Sequence, residues 1–268
     1  MTMPANTDPD LILAETEVPP VFEENAGSTS PFILTCDHYG CLIPRALDGL
    51  GVSAKELERH IAWDIGIAGL ATHLAGDMNA HLIAQRYSRL VIDCNRPFTS
   101  ASSIPLISEA TEIPGNAGLS HDQVDARRRA IFQPYHARIR DVLDHREAAG
   151  IVTILLSLHS FTPVYAGIAR PWHVGTLYHR DARFPHLLRD ALRAEGDLVV
   201  GDNEPYAVSE TTDYTIPVHG EQRGLLHSGI EIRQDLIADE RGQRQWADRL
   251  ARILGEIESR LLQKIQAG

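Results

Sequence analysis

The chain has little cysteine. Cys36, Cys41 and Cys94 are the three among 268 residues, and no two form a CxxC pair. Neither a disulfide framework nor a thiolate zinc cage is indicated, and reduced thiols in a cytosolic protein are the simpler reading. Long apolar runs are missing as well: none approaches the roughly 20 residues of a membrane span. The N-terminus carries Pro4, Asp8 and Asp10 where a signal peptide needs a basic head and an apolar core. A soluble, unexported, cytoplasmic protein is expected, with no membrane partner. Positive charge is also short, 25 Lys plus Arg against 36 Asp plus Glu for a net charge of -11. That balance argues against nucleic acid as a partner, while leaving room for a local basic pocket.

What is present suits a large α/β domain. With 43% hydrophobic residues the chain is long enough to bury a sizeable core without staples. No internal repeat or low-complexity linker interrupts it, which favours a single domain over 31–268, preceded by an arm (1–30) rich in Pro, Glu, Asn and Ser and expected to lie extended on the domain. Histidine is generous at 13 residues, several of them near strand ends.

The run IVTILLSLHSFTP at 151–163 reads as a strand buried on both faces. His159 and Ser160 stand at its carboxyl end, where ligands of open α/β sheets collect; a hydrogen-bonded structural histidine is the plainer alternative. PFILTC at 31–36 is a second core strand, running into the polar turn Asp37-His38-Tyr39-Gly40. Ser53 and Glu56 have capping-box spacing, which predicts a helix over 53–76 with Leu57, Ile61 and Ala68 as its apolar stripe. Asp64 falls on that stripe. A buried carboxylate is costly unless paired, hydrogen-bonded or bound to a metal, and a pairing with His60 competes with a ligand role.

Strands are predicted over 80–84 and 89–93, the second leading into Asp93-Cys94-Asn95-Arg96-Pro97. The Arg96 fork suits a carboxylate, or a surface salt bridge. A loop over 98–119 is long enough to be functional or mobile. A helix capped at Ser120 and reaching 149 follows, its many Arg and His residues read as a solvated face. Strands over 164–169, 173–178 and 198–200 and a helix over 184–195 come next. The polar segment 201–226, with Tyr206, Tyr214, His219 and Arg223, reads as a substrate loop or a surface excursion. In the strand 228–233, Ile230 and Ile232 point one way and Glu231 and Arg233 the other. A helix over 243–266 closes the chain on Trp246, Leu250, Ile253, Leu254, Ile257 and Leu261.

Five segments, DHYGCLIP around His38, RHIAWDIG around Asp64, DCNRP around Arg96, SLHSFTP around His159, and NEPY followed by GIEIRQDLI, resemble the N-formylglutamate amidohydrolase family, in the same order and over about residues 31–240. The resemblance implies a phosphorylase/hydrolase-like three-layer sandwich, α/β with a mixed, mostly parallel sheet flanked by helices, distantly similar to zinc carboxypeptidases. It implies a zinc-dependent hydrolase that cleaves the amide of a small anionic N-acyl amino acid such as N-formylglutamate and releases formate. Carried over by position, His38, Asp64 and His159 would hold one zinc ion, and Glu231 would be the catalytic base. Arg96 would stabilise the oxyanion or, with Asn95, grip the substrate carboxylate; Tyr214, His219 and Arg233 complete the expected substrate-binding set.

Two departures from the family pattern are visible. Tyr39 stands where a serine is common, and Cys41 occupies the place of the glutamate in a carboxypeptidase-like HxxE. A site using Cys41 in place of Asp64 would be softer. A metallo-amidase or peptidase acting on another N-acyl amino acid, a short peptide or a cell-wall fragment is the competing function. A non-catalytic small-anion-binding protein is the other.

Overall fold

Strands that are apolar on both faces must be covered on both. The structure, a computed structural model that describes residues 12–267, meets this with three layers. The main sheet has seven strands: β1 Val21–Glu24, β2 Phe32–Cys36, β3 His81–Gln85, β4 Ile154–Phe161, β5 Val174–Leu177, β6 Val200–Asp202 and β7 Leu226–Arg233. They lie in the order β1-β3-β2-β4-β7-β5-β6. β1 runs antiparallel to β3 and β5 antiparallel to β7, while the other pairings are parallel. This is the expected α/β sandwich around a mixed, mostly parallel sheet. Residues 1–11 of the expected arm lie outside the described residues; its later part supplies the edge strand β1.

The helices are α1 Ala54–Leu57, α2 Ile67–Met78, α3 His121–Arg127, α4 Gln133–Ala148, α5 Arg183–Ala194 and α6 Glu240–Ala267. Alternation along the strands sorts two cores. Leu34, Leu156, Leu158, Ile230 and Ile232 pack with Leu70 of α2, Leu188 of α5 and Leu250 of α6. On the opposite face Ile33, Ile83 and Leu155 meet Phe132, Tyr135 and Ile139 around α4. All eight residues of β4 are buried, as its lack of alternation predicts. His159 follows Leu158 by one position and therefore faces the α4 side, as does Glu231 beside Ile230.

Three expectations about local structure are corrected. The helix over 53–76 is broken: Ser53 caps only the short α1, accepting a hydrogen bond from the Glu56 backbone N–H, and the chain re-enters helix at Ile67. Between them the Asp64 N–H donates to the His38 carbonyl at 3.0 Å instead of to a helical neighbour. Gly66 then turns at φ +82°, where a Cβ would lie 2.1 Å from the Ile237 carbonyl oxygen. Asp64 thus sits in a loop before α2, buried as expected but for a different reason.

Residues 89–93 form no strand either, because Ser88 Oγ accepts the Leu90 N–H and the Ser88 carbonyl accepts the Val91 N–H, closing a turn. Finally, the helical segment 121–148 is not simply solvated on its basic face: Arg127, His136 and Arg146 are buried. Arg127 donates to the carbonyls of Val91 and Gly115, and Arg146 to those of Ser28, Ser30 and Val152. Each uses its fork to satisfy loop carbonyls that would otherwise be orphaned.

Candidate metal and active site

The carboxyl ends of three adjacent strands deliver the site. β2 ends into Asp37 and His38, β4 carries His159, and β7 carries Glu231, which stands in parallel register opposite His159. The turn before α2 brings Asp64 across to them. Its Oδ2 lies 3.0 Å from His159 Nδ1 and 3.4 Å from His38 Nδ1. It also accepts the Ser160 N–H at 3.2 Å. His38, Asp64 and His159 can each offer a ligand atom, all within 4.8 Å of one another.

The far side of each imidazole is committed. His38 Nε2 is 2.8 Å from Asp93 Oδ1; His159 Nε2 is 3.0 Å from Ser157 Oγ and 3.2 Å from Asp37 Oδ2. A ring that donates its Nε2–H to a carboxylate leaves Nδ1 as a lone pair, the arrangement that orients metal-ligating histidines. His38 Nδ1 is buried with no hydrogen-bond partner among the described residues. An orphaned imidazole nitrogen aimed at a carboxylate and a second imidazole fits a divalent ion that takes nitrogen and oxygen ligands.

Burial disfavours charge throughout this cluster, yet its ion pairs dominate. Asp37 and Asp93 are held well below the usual carboxylate range against burial, Asp37 by hydrogen bonding to His159 and Asp93 by the charges of His38 and Arg89. Asp64 is likewise lowered, chiefly by His38 and His159. Glu231 goes the other way: burial, assisted by Asp64, pushes its carboxyl up to about 7 against the pull of His159 and Arg89. Its Oε2 is buried without a hydrogen-bond partner among the described residues.

These groups open into a cavity of about 560 Å³ whose wall includes Asn95, Arg96, Thr162, Tyr165 and Tyr206, and Ile107 to Glu109 from the loop 98–119. The profile of the N-formylglutamate amidohydrolases matches residues 30–238. The chain belongs to that family. Gene product Atu2144 of Agrobacterium tumefaciens is similar at a TM-score of 0.89 and 38% identity, over 93% of this chain and 99% of that one. The N-formylglutamate amidohydrolase of Ralstonia eutropha JMP134 superposes at 0.64 with 20% identity, over 94% and 100% of the two chains, a likeness of fold. No functionally curated protein matches the chain by sequence.

In this family member, His38, Asp64, His159 and Glu231 come together, and Asn95 and Arg96 reach the cavity wall. Asn95 is nonetheless occupied: its Oδ1 accepts the N–H groups of Tyr214 and Thr215, so it anchors that turn. Arg96 donates to the Thr212 carbonyl and lies 3.8 Å from Asp213. Tyr214, His219 and Arg233 are not on the wall. Tyr214 packs on Phe132 and His136, His219 stacks on His136, and Arg233 is engaged by Asp235 at 2.7 Å. Cys41 is exposed and off the wall. Tyr39 stacks on Phe22 and is not on the wall.

Sequence reasoning missed Arg89, whose guanidinium bridges Asp64 at 3.1 Å and Asp93 at 3.2 Å on the cavity wall. Reading 89–93 as a strand hid it. Asp37 and Asp93 stood within the quoted motifs, Asp37 beside His38 and Asp93 two positions before Asn95, and their service to the two imidazoles had no signal in the linear spacing.

Proposed function

We propose that this protein is a zinc-dependent amidohydrolase that cleaves the amide bond of an N-formyl or other N-acyl amino acid, as the family name implies, releasing formate when the acyl group is formyl. The observation that carries the reading is the convergence of His38 Nδ1, Asp64 Oδ2 and His159 Nδ1 beside the unpartnered Glu231 Oε2. Two neutral imidazoles and one carboxylate are a catalytic ligand set, since they leave a coordination position open. When bound, zinc would supply Lewis-acid polarisation of the amide carbonyl and activation of water at neutral pH.

The remaining work falls to the chain. Glu231, with its carboxyl near neutrality, takes a proton from the attacking water and returns it to the leaving nitrogen, so that the C–N bond breaks to a carboxylate and an amine. Asp93 and Asp37 accept from the Nε2–H groups of His38 and His159, so that the Nδ1 atoms, which face Asp64, would be the ligand atoms. Arg89, kept cationic by Asp93 and Asp64, is oriented to donate to oxygen charge that develops over the cavity. Arg96, on the cavity wall, is suited to the substrate's α-carboxylate.

The test is formate release from N-formyl amino acids by zinc-loaded protein, with metal content measured in parallel. Stoichiometric zinc with no turnover of any N-acyl amino acid would leave a binding role in place of an enzymatic one.

A further inference from the structure

Three apolar side chains on the cavity wall belong to neither main core. Leu177 at the end of β5, Val208 and Ile216 are buried and pack on one another as a separate cluster, and all three line the cavity that holds Glu231. Leu177 stands opposite Gly229 of β7 in antiparallel register. Gly229 precedes Glu231 by two positions and so faces the same side, one step deeper along the strand. A Cβ there would come within 3.1 Å of Leu177 Cβ; the glycine leaves the floor bare and the leucine walls it. Ala207 adds a further small apolar surface to the same cavity.

Charge is distributed unevenly around this space. The wall carries five acids, Asp64, Asp93, Glu109, Asp213 and Glu231, and two arginines. Arg89 is held by Asp64 and Asp93 beside the reacting oxygen, so Arg96, which donates to the Thr212 carbonyl and lies 3.8 Å from Asp213, is the remaining wall cation for a substrate carboxylate. A second substrate carboxylate would face either the acids or the apolar cluster, and both disfavour it.

Building on the amidohydrolase reading, we infer that Leu177, Val208 and Ile216 form a subsite for an aliphatic group carried by the substrate. The preferred substrate is an N-acyl amino acid whose one carboxylate meets Arg96 and whose aliphatic portion fills the cluster. Burial of such a group against three aliphatic side chains is worth about tenfold or more in specificity.

The experiment compares N-formyl-leucine, N-formylglutamate and N-butyrylalanine on the zinc-loaded enzyme, by kcat/KM and by calorimetric binding. A preference of about tenfold for N-formyl-leucine over N-formylglutamate places an aliphatic side chain in the subsite; a similar preference for N-butyrylalanine over N-formylglutamate places an acyl chain there. Val208→Asp should abolish whichever preference is found, and the milder Val208→Ala should reduce it severalfold, with folding of both checked by thermal melting. N-formylglutamate as the best of the three would overturn the subsite. Absence of all turnover would sink the amidohydrolase reading alone, because the Kd values then decide the subsite: tighter N-formyl-leucine, weakened by Val208→Asp, upholds it, and equal or tighter N-formylglutamate overturns it.

Discussion

Two pairs of histidines sit at nearly the same ring separation, 5.0 Å for His38 and His159 and 5.3 Å for His136 and His219, and both pairs are buried. Their surroundings set them apart. Around the first pair stand Asp37, Asp64 and Asp93, so that His159 is raised well above its ordinary value despite burial, by hydrogen bonds to Asp37 and Asp64. Around the second stand Phe132, Tyr135 and Tyr214. His136 Nε2 donates to the Cys94 carbonyl at 2.8 Å, and its Nδ1 faces His219 Nε2 at 3.1 Å. With no carboxylate among the described residues in hydrogen-bond reach, burial lowers His136 to about 4 and His219 to about 3. The difference teaches that buried imidazoles become ligand candidates through the carboxylates behind them, and packing residues without them.

The sharpest way to break this comparison is to remove one member of each pair. His159→Ala should abolish stoichiometric zinc, measured by plasma emission, and with it all turnover, whereas His219→Gln should leave metal content unchanged. Equal metal loss in both would erase the distinction. Next in size, Glu231→Gln should retain zinc and lose about 10²–10⁴-fold in kcat, because it removes a base without removing a ligand; wild-type turnover would refute that role.

A smaller effect is expected behind the ligands. Asp93→Asn keeps the volume but weakens the hold on His38 Nε2, and competition against a chelator should show about 10–100-fold weaker zinc affinity. The second pair predicts a pH response. A histidine depressed in the folded state binds its proton more readily when unfolded, so stability is full above the unfolded value near 6.5 and falls as pH drops toward the folded values. Each unit of depression costs about 1.4 kcal/mol once both values are passed. The slope of melting temperature between about pH 6.5 and pH 4.5 should therefore flatten in a His136→Gln/His219→Gln double variant; an unchanged slope would assign acid sensitivity elsewhere. The smallest effect belongs to Arg233→Ala. Its side chain pairs with the half-exposed Asp235, and surface pairs of this kind contribute about 0–1 kcal/mol, so kcat/KM should stay within about twofold of wild type.

The strand framework was legible because burial on two faces imposes a local pattern: unbroken apolar residues in 154–161, alternation in Ile230 and Ile232 against Glu231. Helix ends marked by Ser53 and Ser120 were legible for the same reason, since an N-cap is satisfied within a few residues. The break after α1 was not, because what stops the helix is a carbonyl at His38 and another at Ile237, both distant in sequence. Arg89 was misplaced by one such error, and Tyr214 and His219 were overvalued because polarity in a segment does not say which cavity it faces.

By itself the sequence determined the class of fold, the family, and the four residues His38, Asp64, His159 and Glu231 as a group to watch, since periodicity and short motifs survive in one dimension. Tertiary structure decided that Nδ1 of both histidines faces Asp64, that Arg89 and two further aspartates support the cluster, and that Leu177, Val208 and Ile216 share its cavity. Those outcomes depend on contacts between strands and loops up to 178 positions apart, as between Asp37 and Thr215, and on the loss of water around them. Burial turns an ordinary aspartate into a strong orienting partner and the same burial, without one, turns a histidine into packing.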